Sequence, residues 1–391
     1  MLTQAENETL TRVGPGTPVG ELLRRYWHVV GAMGQLDQDP VRSVRVLGED
    51  LVLYRDEAGT LGLVGERCAH RGISLAYGIP QINGLRCAYH GWTYDASGRV
   101  VDMPFEPACL PLKIAAYPVQ ELGGLIFAYL GPEPRPLLPR WDLLVRADLD
   151  RNIRIGELDC NWLQPMDNAM DPVHFEHLHA AFGNYAMRKQ GKPPFMAPAR
   201  HVKIDFDVFE YGIFKRRLLE GEPEDCDDWT TGHPVLFPNI LAQGGDTPSF
   251  QIRVPVDDTH TVVYWYTTRA RPDGRPPQTE IPVGVQQHKR PDGSFVDDTI
   301  PGQDMLAWDA QGPITDRTSE HLVTSDKGIL LYRKLLLEQV ERVQRGEDPL
   351  GVIRDPAKNE PMIPIAREGQ RLRAFRIPAS VQHPVGHMPE R

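Results

Sequence analysis

Two short pairs of cysteine and histidine constrain the fold of this chain more than any other feature of its sequence. Cys68 and His70 are separated by one residue, and sixteen residues later Cys87 and His90 are separated by two. Each pair lies near a turn, so two neighbouring loops can bring the four side chains together. The sequence therefore predicts one site built from two loops.

Three interpretations of these four residues compete. Two buried cysteines with two unrelated histidines would seldom produce two mixed pairs by chance. A zinc site of two cysteines and two histidines usually pairs like with like at C-x-x-C spacing, whereas each pair here mixes the two residue types. A [2Fe–2S] cluster with two thiolates on one iron and two imidazoles on the other fits the mixed pairs, and neutral imidazoles raise its reduction potential.

Composition limits the class of protein. A chain of 391 residues has room for about two domains. The net charge of −10 argues against nucleic acid or an anionic membrane surface as a partner. No apolar run approaches the ~20 residues of a membrane helix, and the N-terminal residues do not resemble a signal peptide. Five irregularly spaced cysteines do not suggest a disulfide framework. These features predict a reduced, cytoplasmic protein.

The spacing of apolar residues divides the chain into three segments. Residues 1–26 predict a turn and one short helix. Residues 27–139 predict an all-β unit, because apolar residues alternate with period two from about residue 43, and 43–66 form two strands around the turn D-E-A-G-T. A Pro-rich stretch, 131–139, is the predicted boundary before a third segment, 140–391.

The third segment predicts an α+β domain, a strand-rich sheet with helices packed on it. Strands are expected within 201–219, 248–258 and 260–270. Helices are expected within 303–314 and 325–346, and also within 161–179, where Pro165 and Pro172 would interrupt them. The tail 376–391 is expected to be irregular.

A second group of metal-ligating residues lies in this segment. The stretch DNAMDPVHFEHLH contains Asp171, His174, His177 and His179, and Asp304 follows later. Two histidines and one carboxylate on one face of Fe(II) leave positions open for substrate-gated binding of O2. Helical spacing alone would select His174 and His177, which are neighbours at i and i+3.

The first motif, C-x-H-x16-C-x-x-H with HRG and YHGW around it, closely resembles that of the Rieske family. Gly72 and Ala88 stand where high-potential respiratory members carry an extra cysteine pair. The stretch from Asn161 resembles N-W-…-D-x-x-H-x4-H of the Rieske oxygenases. The residues 11–28 and 307–336 are similar to the phthalate and phenoxybenzoate dioxygenase branch, so the resemblance covers nearly the whole chain.

This resemblance implies that His174, His179 and Asp304 hold a mononuclear iron, with His177 as a fallback ligand. Asp309 and Asp316 are rivals of Asp304, but each is expected to be a solvated helix face or a cap. The resemblance also implies that Asp171 bridges two redox centres, His174 of its own chain and the partner subunit's His90. A helix N-cap before Pro172 is a compatible alternative for Asp171.

The implied fold is α+β, with an N-terminal all-β Rieske [2Fe–2S] domain and a C-terminal helix-grip (START-like) catalytic domain that has an antiparallel sheet. The implied function is a terminal oxygenase that uses O2, and electrons from NAD(P)H delivered by a separate flavin and [2Fe–2S] reductase or a ferredoxin, to hydroxylate, dihydroxylate or O-demethylate an aromatic substrate. The resemblance further implies a homo-oligomer, most often a trimer. An electron-transfer protein and a zinc-stabilised binding protein are the alternative functions.

A carboxylated aromatic substrate would require an arginine or lysine in its pocket. Five candidates are expected to be surface charges rather than pocket residues: Arg188, Lys189, Lys215, Arg216 and Arg217.

Overall fold

The computed structural model describes residues 2–197 and 200–369, so the tail 376–391 lies outside the described residues. The described chain begins with two helices, α1 (Gln4–Thr11) and α2 (Pro18–Leu23), where one short helix was predicted. Helix α1 begins at a capping box in which the Thr3 and Glu6 side chains each accept a hydrogen bond from the other residue's backbone amide. The T-x-x-E signal of this box is present in the sequence.

The next segment forms three small antiparallel sheets, as the period-two alternation predicted. Their strand orders are β1-β11-β10, β2-β3-β4-β9 and β5-β6-β7-β8. The strands and one short helix, α3, are β1 (Trp27–Ala32), α3 (Met33–Gln38), β2 (Val41–Val46), β3 (Glu49–Arg55), β4 (Leu61–Gly65), β5 (Ile79–Gln81), β6 (Gly84–Arg86), β7 (Thr93–Tyr94), β8 (Val100–Asp102), β9 (Ala116–Tyr117), β10 (Val119–Leu122) and β11 (Leu125–Tyr129).

The prediction of two strands over residues 43–66 is wrong, because a tight turn at Leu47 and Gly48 divides the first of them into β2 and β3. Both turn residues have positive φ, 49° and 77°, as a two-residue hairpin turn requires. The turn also fastens this segment to the rest of the chain, since the amides of Leu47 and Gly48 donate to the carbonyls of Pro255 and Val256.

The C-terminal segment contains one eight-stranded sheet of order β13-β14-β15-β16-β17-β18-β12-β19. It is antiparallel as predicted, except that the short edge strand β19 pairs in parallel with β12. The strands are β12 (Leu149–Leu158), β13 (His201–Phe209), β14 (Gly212–Leu219), β15 (His233–Leu236), β16 (Ile240–Gln243), β17 (Ser249–Pro255), β18 (Thr261–Ala270) and β19 (Val283–Val285).

Helices pack on this sheet: α4 (Asp142–Val145), α5 (Leu163–Ala169), a π-helix (Phe175–Phe182), α6 (Gly183–Lys189), α7 (Asp227–Thr230), α8 (Ile300–Asp309) and α9 (Lys327–Gln344). Pro165 does not interrupt α5, because it lies in the first turn, where its missing amide costs nothing. The apolar residues that recur at helical spacing in α9 are buried except for Leu330, which is 48% exposed. None of the helices within the described ranges is long and apolar enough to cross a membrane.

One hydrophobic core joins the two segments. It contains Leu53 and Phe127 from the N-terminal sheets and Phe250 and Leu336 from the C-terminal sheet and α9. The buried Trp162 indole donates to the carbonyl of Leu10, so α1 is fastened to the start of α5. The predicted boundary at 131–139 falls in a stretch without helix or strand, and the division into domains there stays a prediction.

Helix α5 is held by a charge network beneath the second motif. The Asp167 carboxylate accepts from the guanidinium groups of Arg317, at 3.0 Å, and Arg333, at 2.7 Å. Arg333 also donates to Glu320. The Arg317 and Arg333 side chains are 0% and 4% exposed. Asp167 is therefore the carboxylate partner of Arg317, and it shares the compensation of Arg333 with Glu320.

We expect Asp167→Asn to destabilise the protein by about 3 kcal/mol, because it leaves buried guanidinium charge without a counter-ion. Urea denaturation followed by tryptophan fluorescence measures the change. Glu338→Gln is the matched control, since it removes an exposed ion pair of α9 with Lys334 and should change stability by less than about 0.5 kcal/mol. Equal stability of the two variants would contradict a structural role for the network.

Candidate metal centres

The two cysteine–histidine loops have the same backbone turn. The amide of Gly72 donates to the carbonyl of Cys68, and the amide of Gly91 donates to that of Cys87. Both glycines have positive φ, 73° and 77°, a conformation that a side chain disfavours. The two cysteines therefore begin the same kind of turn, and the histidines follow them by two residues in one loop and three in the other.

The four side chains of these loops come together with the thiols inside and the imidazoles outside. Cys68 and Cys87 are 3% and 2% exposed, whereas His70 and His90 are exposed, with ring centroids 4.5 Å apart. The His70 ring stacks on Trp92 at 4.8 Å. Two buried sulfur donors beside two surface nitrogen donors suit a [2Fe–2S] cluster with mixed ligands.

Tyr94 supports the buried sulfur side of this site. Its hydroxyl accepts a hydrogen bond from the amide of Ala69 at 2.9 Å and lies 3.2 Å from the Cys68 sulfur. Burial raises the pKa of Cys87, and the neighbouring Cys68 raises it further, so bound cationic iron would be needed to hold Cys87 as a thiolate. A hydroxyl donor to a cluster sulfur also tunes the reduction potential.

The second site joins the π-helix to α8. His174, His179 and Asp304 each offer a ligand atom within 4.8 Å of the other two. The Asp304 Oδ1 atom lies 3.2 Å from Nε2 of His179 and 3.8 Å from Nε2 of His174. Among the described residues this is the one group of three or more His, Cys, Asp or Glu side chains with such spacing.

The helix geometry explains why the i and i+5 histidines meet. His174 immediately precedes the π-helix Phe175–Phe182, whose wider turn brings residues five apart onto one face. His177 lies outside this group: its side chain is 70% exposed, and its Nε2 is 3.4 Å from Glu176. Regular α-helical spacing would have brought His177 next to His174. The π-helix brings His179 there instead.

The protonation of the three side chains suits a metal. Burial lowers the pKa of His174 and keeps it neutral. Burial raises the pKa of Asp304, but His179 lowers it more, and the carboxyl is ionised. For His179 burial lowers the pKa, but the Asp304 carboxylate outweighs burial and raises it, so a proton there stands where a divalent cation would. The Asp304 Oδ1 atom makes no hydrogen bond within the described residues.

Asp171 lies beside the group without belonging to it. Its Oδ1 accepts from the amides of Val173 at 2.7 Å and His174 at 3.4 Å, in a turn just before the π-helix, whose N-cap residue is His174. Its Oδ2 is 3.6 Å from Nδ1 of His174. Burial raises the pKa of Asp171, but its contact with His174 lowers it more, so Asp171 is an anion.

The two rivals of Asp304 have other roles. Asp316 is exposed and caps a turn through Thr318, as expected. The expectation that Asp309 is solvated is wrong, because its side chain is 3% exposed and binds His288 at 3.0 Å. It also accepts from Lys289 at 3.2 Å and fastens the end of α8 to the preceding loop.

Two of the five candidate cations are not on the surface. Arg188 and Lys189 are exposed over Tyr185, and Arg216 binds Asp207. Lys215 and Arg217 are only 5% and 8% exposed, because alternate residues of β14 face the protein interior. Within residues 2–197 and 200–369, the side-chain ammonium of Lys215 makes no hydrogen bond or ion pair.

A third buried cation, Arg253 on β17, was not among the predicted candidates. It is 1% exposed, its Nε and Nη1 have no hydrogen-bond partner in the described part of the chain, and its guanidinium lies over Trp308. Burial lowers the pKa of Arg253 to about 10, and it remains charged. Every residue of β17 is buried, so the alternation of polar and apolar residues in QIRVP does not indicate the burial of Arg253.

Comparisons with known proteins match both segments. A sequence model of the Rieske [2Fe-2S] domain matches residues 26–118, and one described as LigXa C-terminal domain like matches residues 287–367. The 5,5'-dehydrodivanillate O-demethylase oxygenase subunit of a Sphingobium species is 44% identical, covering 92% of this chain and 85% of that protein. The phenoxybenzoate dioxygenase subunit alpha of Ectopseudomonas oleovorans is 35% identical, covering 88% and 87%.

Solved structures share the fold at low sequence identity. The carbazole-bound oxygenase and ferredoxin complex of carbazole 1,9a-dioxygenase, in a variant with one substitution, has a TM-score of 0.64 at 18% identity and covers 92% of this chain and 98% of its own. NdmA of Pseudomonas putida CBB5 has a TM-score of 0.62 at 21% identity, covering 84% and 94%.

We expect His179→Ala to lose the mononuclear iron and His177→Ala to keep it. Of these two histidines, only His179 faces Asp304. Anaerobically purified protein should contain about three iron and two acid-labile sulfide per chain, and His179→Ala about two of each. Metal and sulfide analysis measures the ratio. If His177→Ala lost the iron instead, the assignment would be reversed.

Proposed function

This chain belongs to the Rieske non-haem iron oxygenases, and we propose that it removes an O-methyl group from a methoxylated aromatic carboxylic acid. It is a terminal oxygenase component of a multicomponent system that acts on an aromatic substrate. The observation that carries the proposed demethylation is the relationship to an O-demethylase oxygenase subunit at 44% identity over 92% of the chain.

The proposed reaction converts an aryl methyl ether, O2, NADH and a proton into a phenol, formaldehyde, water and NAD+. When bound, the cluster supplies electrons and the mononuclear iron supplies activation of O2. We assign the cluster to Cys68, His70, Cys87 and His90, and the mononuclear iron to His174, His179 and Asp304. The geometry and protonation described above support this assignment, and the burial of Asp304 keeps water from its charge.

Lys215 is proposed to bind the substrate carboxylate, next to Arg217, whose Nε donates to the buried Asp228 carboxylate at 2.8 Å. Both are buried on β14, and Asp171 and Asp304 act electrostatically on Lys215, so the lysine lies near the iron ligands. Arg217 lies over the Phe175 ring at 4.8 Å, and that ring contacts His179 at 5.2 Å. A buried ammonium without a carboxylate partner favours an anionic ligand.

The partners of this component are also part of the proposal. Electrons would come from NAD(P)H through a separate flavin and [2Fe–2S] reductase or a ferredoxin, and the chain would form a homotrimer in the cytoplasm. Relatives named as oxygenase subunits, and a structural relative in complex with a ferredoxin, support a multicomponent system.

The function is tested with the purified chain, a matched reductase, NADH, and 3,4-dimethoxybenzoate beside its methyl ester. We expect about one formaldehyde for each NADH oxidised with the acid, and much slower turnover of the ester because it lacks the charge that Lys215 would bind. A dihydrodiol formed without formaldehyde would overturn demethylation. Equal turnover of acid and ester would overturn the carboxylate requirement.

The pH dependence of the same assay tests Lys215. Burial and the charge of Arg217 lower the pKa of Lys215 to about 7. It is therefore cationic below this pH and loses its charge above it, so the KM for the acid should rise with pH. Lys215→Met should raise KM at low pH by about tenfold or more and flatten the dependence. The exposed Lys189→Met is the control and should match wild type.

Asp171 is proposed to bridge the cluster and the mononuclear iron, by contacting the partner subunit's His90 and His174 of its own chain. Its carboxylate oxygen is 3.6 Å from His174, and its side chain is 23% exposed, which leaves it accessible to a second chain. We expect Asp171→Asn to keep both centres filled, at about three iron and two sulfide, while turnover falls by about 100-fold. Normal turnover of the filled variant would contradict the bridge.

A further inference from the structure

Gln303 is fully buried against one of the proposed iron ligands and has no part in the mechanism above. Its Oε1 lies 2.9 Å from Nδ1 of His179, and the residue is 0% exposed. We propose that Gln303 is a positioning residue that holds His179 in the tautomer with hydrogen on Nδ1, so that Nε2 is free for iron. This inference rests on the iron ligands proposed above.

The orientation of the Gln303 amide is determined by its other contact. Its Nε2 donates to the backbone carbonyl of Asp297 at 2.8 Å. A carbonyl oxygen only accepts, so the nitrogen of the amide has to face Asp297 and the oxygen has to face His179. An amide oxygen also only accepts, and the Nδ1 atom of His179 therefore carries the hydrogen.

When the His179 ring is neutral, its opposite edge then has a lone pair. Its Nε2 is 3.2 Å from Oδ1 of Asp304, which makes no hydrogen bond in the described ranges. In the neutral tautomer, two acceptors face each other at this distance, an arrangement that a cation between them would stabilise. Imidazoles that ligate metals usually donate their other nitrogen to such an acceptor, which fixes ring and tautomer.

The chain leaves room for this amide. A Cβ atom at Gly183 would lie 2.7 Å from Nε2 of Gln303 and 2.6 Å from the Phe195 ring. Gly183 follows the π-helix directly, at the first residue of α6. The absence of a side chain there lets Gln303 reach the π-helix from α8.

The start of α8 positions Gln303 and Asp304 together. The Thr299 hydroxyl caps this helix by accepting from the amide of Gly302, and the Thr299 carbonyl accepts from the amide of Gln303 at 2.9 Å. Gln303 and Asp304 are consecutive, and they reach opposite edges of the same imidazole. One helix end thus supplies a ligand and orients the ligand beside it.

The test compares iron retention in wild type, Gln303→Met and Gln303→Glu during challenge with a ferrous chelator. Methionine has similar length and no strong acceptor, so we expect mononuclear iron to bind about 10- to 100-fold more weakly. Glutamate keeps an acceptor for Nδ1 and should restore retention. The EPR signal of the ferrous site with nitric oxide should change its rhombicity in Gln303→Met and return towards wild type in Gln303→Glu.

Gln164→Met is the matched control. Gln164 is also buried and binds the end of α8 through the carbonyls of Trp308 and Gly312, but it does not touch a ligand. It should leave iron retention and the EPR signal unchanged. Equal loss of iron in this control, or wild-type retention in Gln303→Met, would overturn the inference. Absence of mononuclear iron from the wild-type protein would instead overturn the proposed ligands.

Discussion

The C-terminal site depends on one carboxylate charge held away from water. Asp304 is 6% exposed, and its ionised state is stabilised chiefly by His179, with smaller contributions from His174 and the buried Arg253. Burying such a charge is costly unless positive charge compensates it. Because the π-helix and α8 meet at this carboxylate, the stability of the site and its capacity for a divalent cation have the same origin.

Local departures from regular structure bring the ligands to that charge. Pro172 separates α5 from the π-helix, and the wider turn of the π-helix places His174 and His179 on one face. The position of α5 in turn depends on Asp167, which accepts from two buried arginines. A site built on irregular backbone is thus supported by a charge network outside it.

The sequence predicted most of the fold, and it suggested the two groups of proposed ligands from different kinds of information. The cluster residues follow from their own spacing, whereas His179 in place of His177 came from a family resemblance, since α-helical periodicity favours His177. The burial of Lys215 depends on which face of β14 is inward, and this requires the strand register. The contact of Gln303 with His179 spans 124 positions, and no local pattern encodes it.

The Leu47–Gly48 turn has a mechanical consequence for electron delivery. Its two amides are bonded to the residues at the end of β17, and the core beneath it is continuous. Sliding of the N-terminal sheets over the C-terminal sheet would break both bonds and open that core. Strand β3 places Leu53 in that core and Val52 in the separate core that contains Cys68 and Cys87, so β3 couples the loops that carry these cysteines to the large sheet. A rotation of the whole chain against another molecule would therefore displace the proposed cluster and the proposed iron site by the same angle.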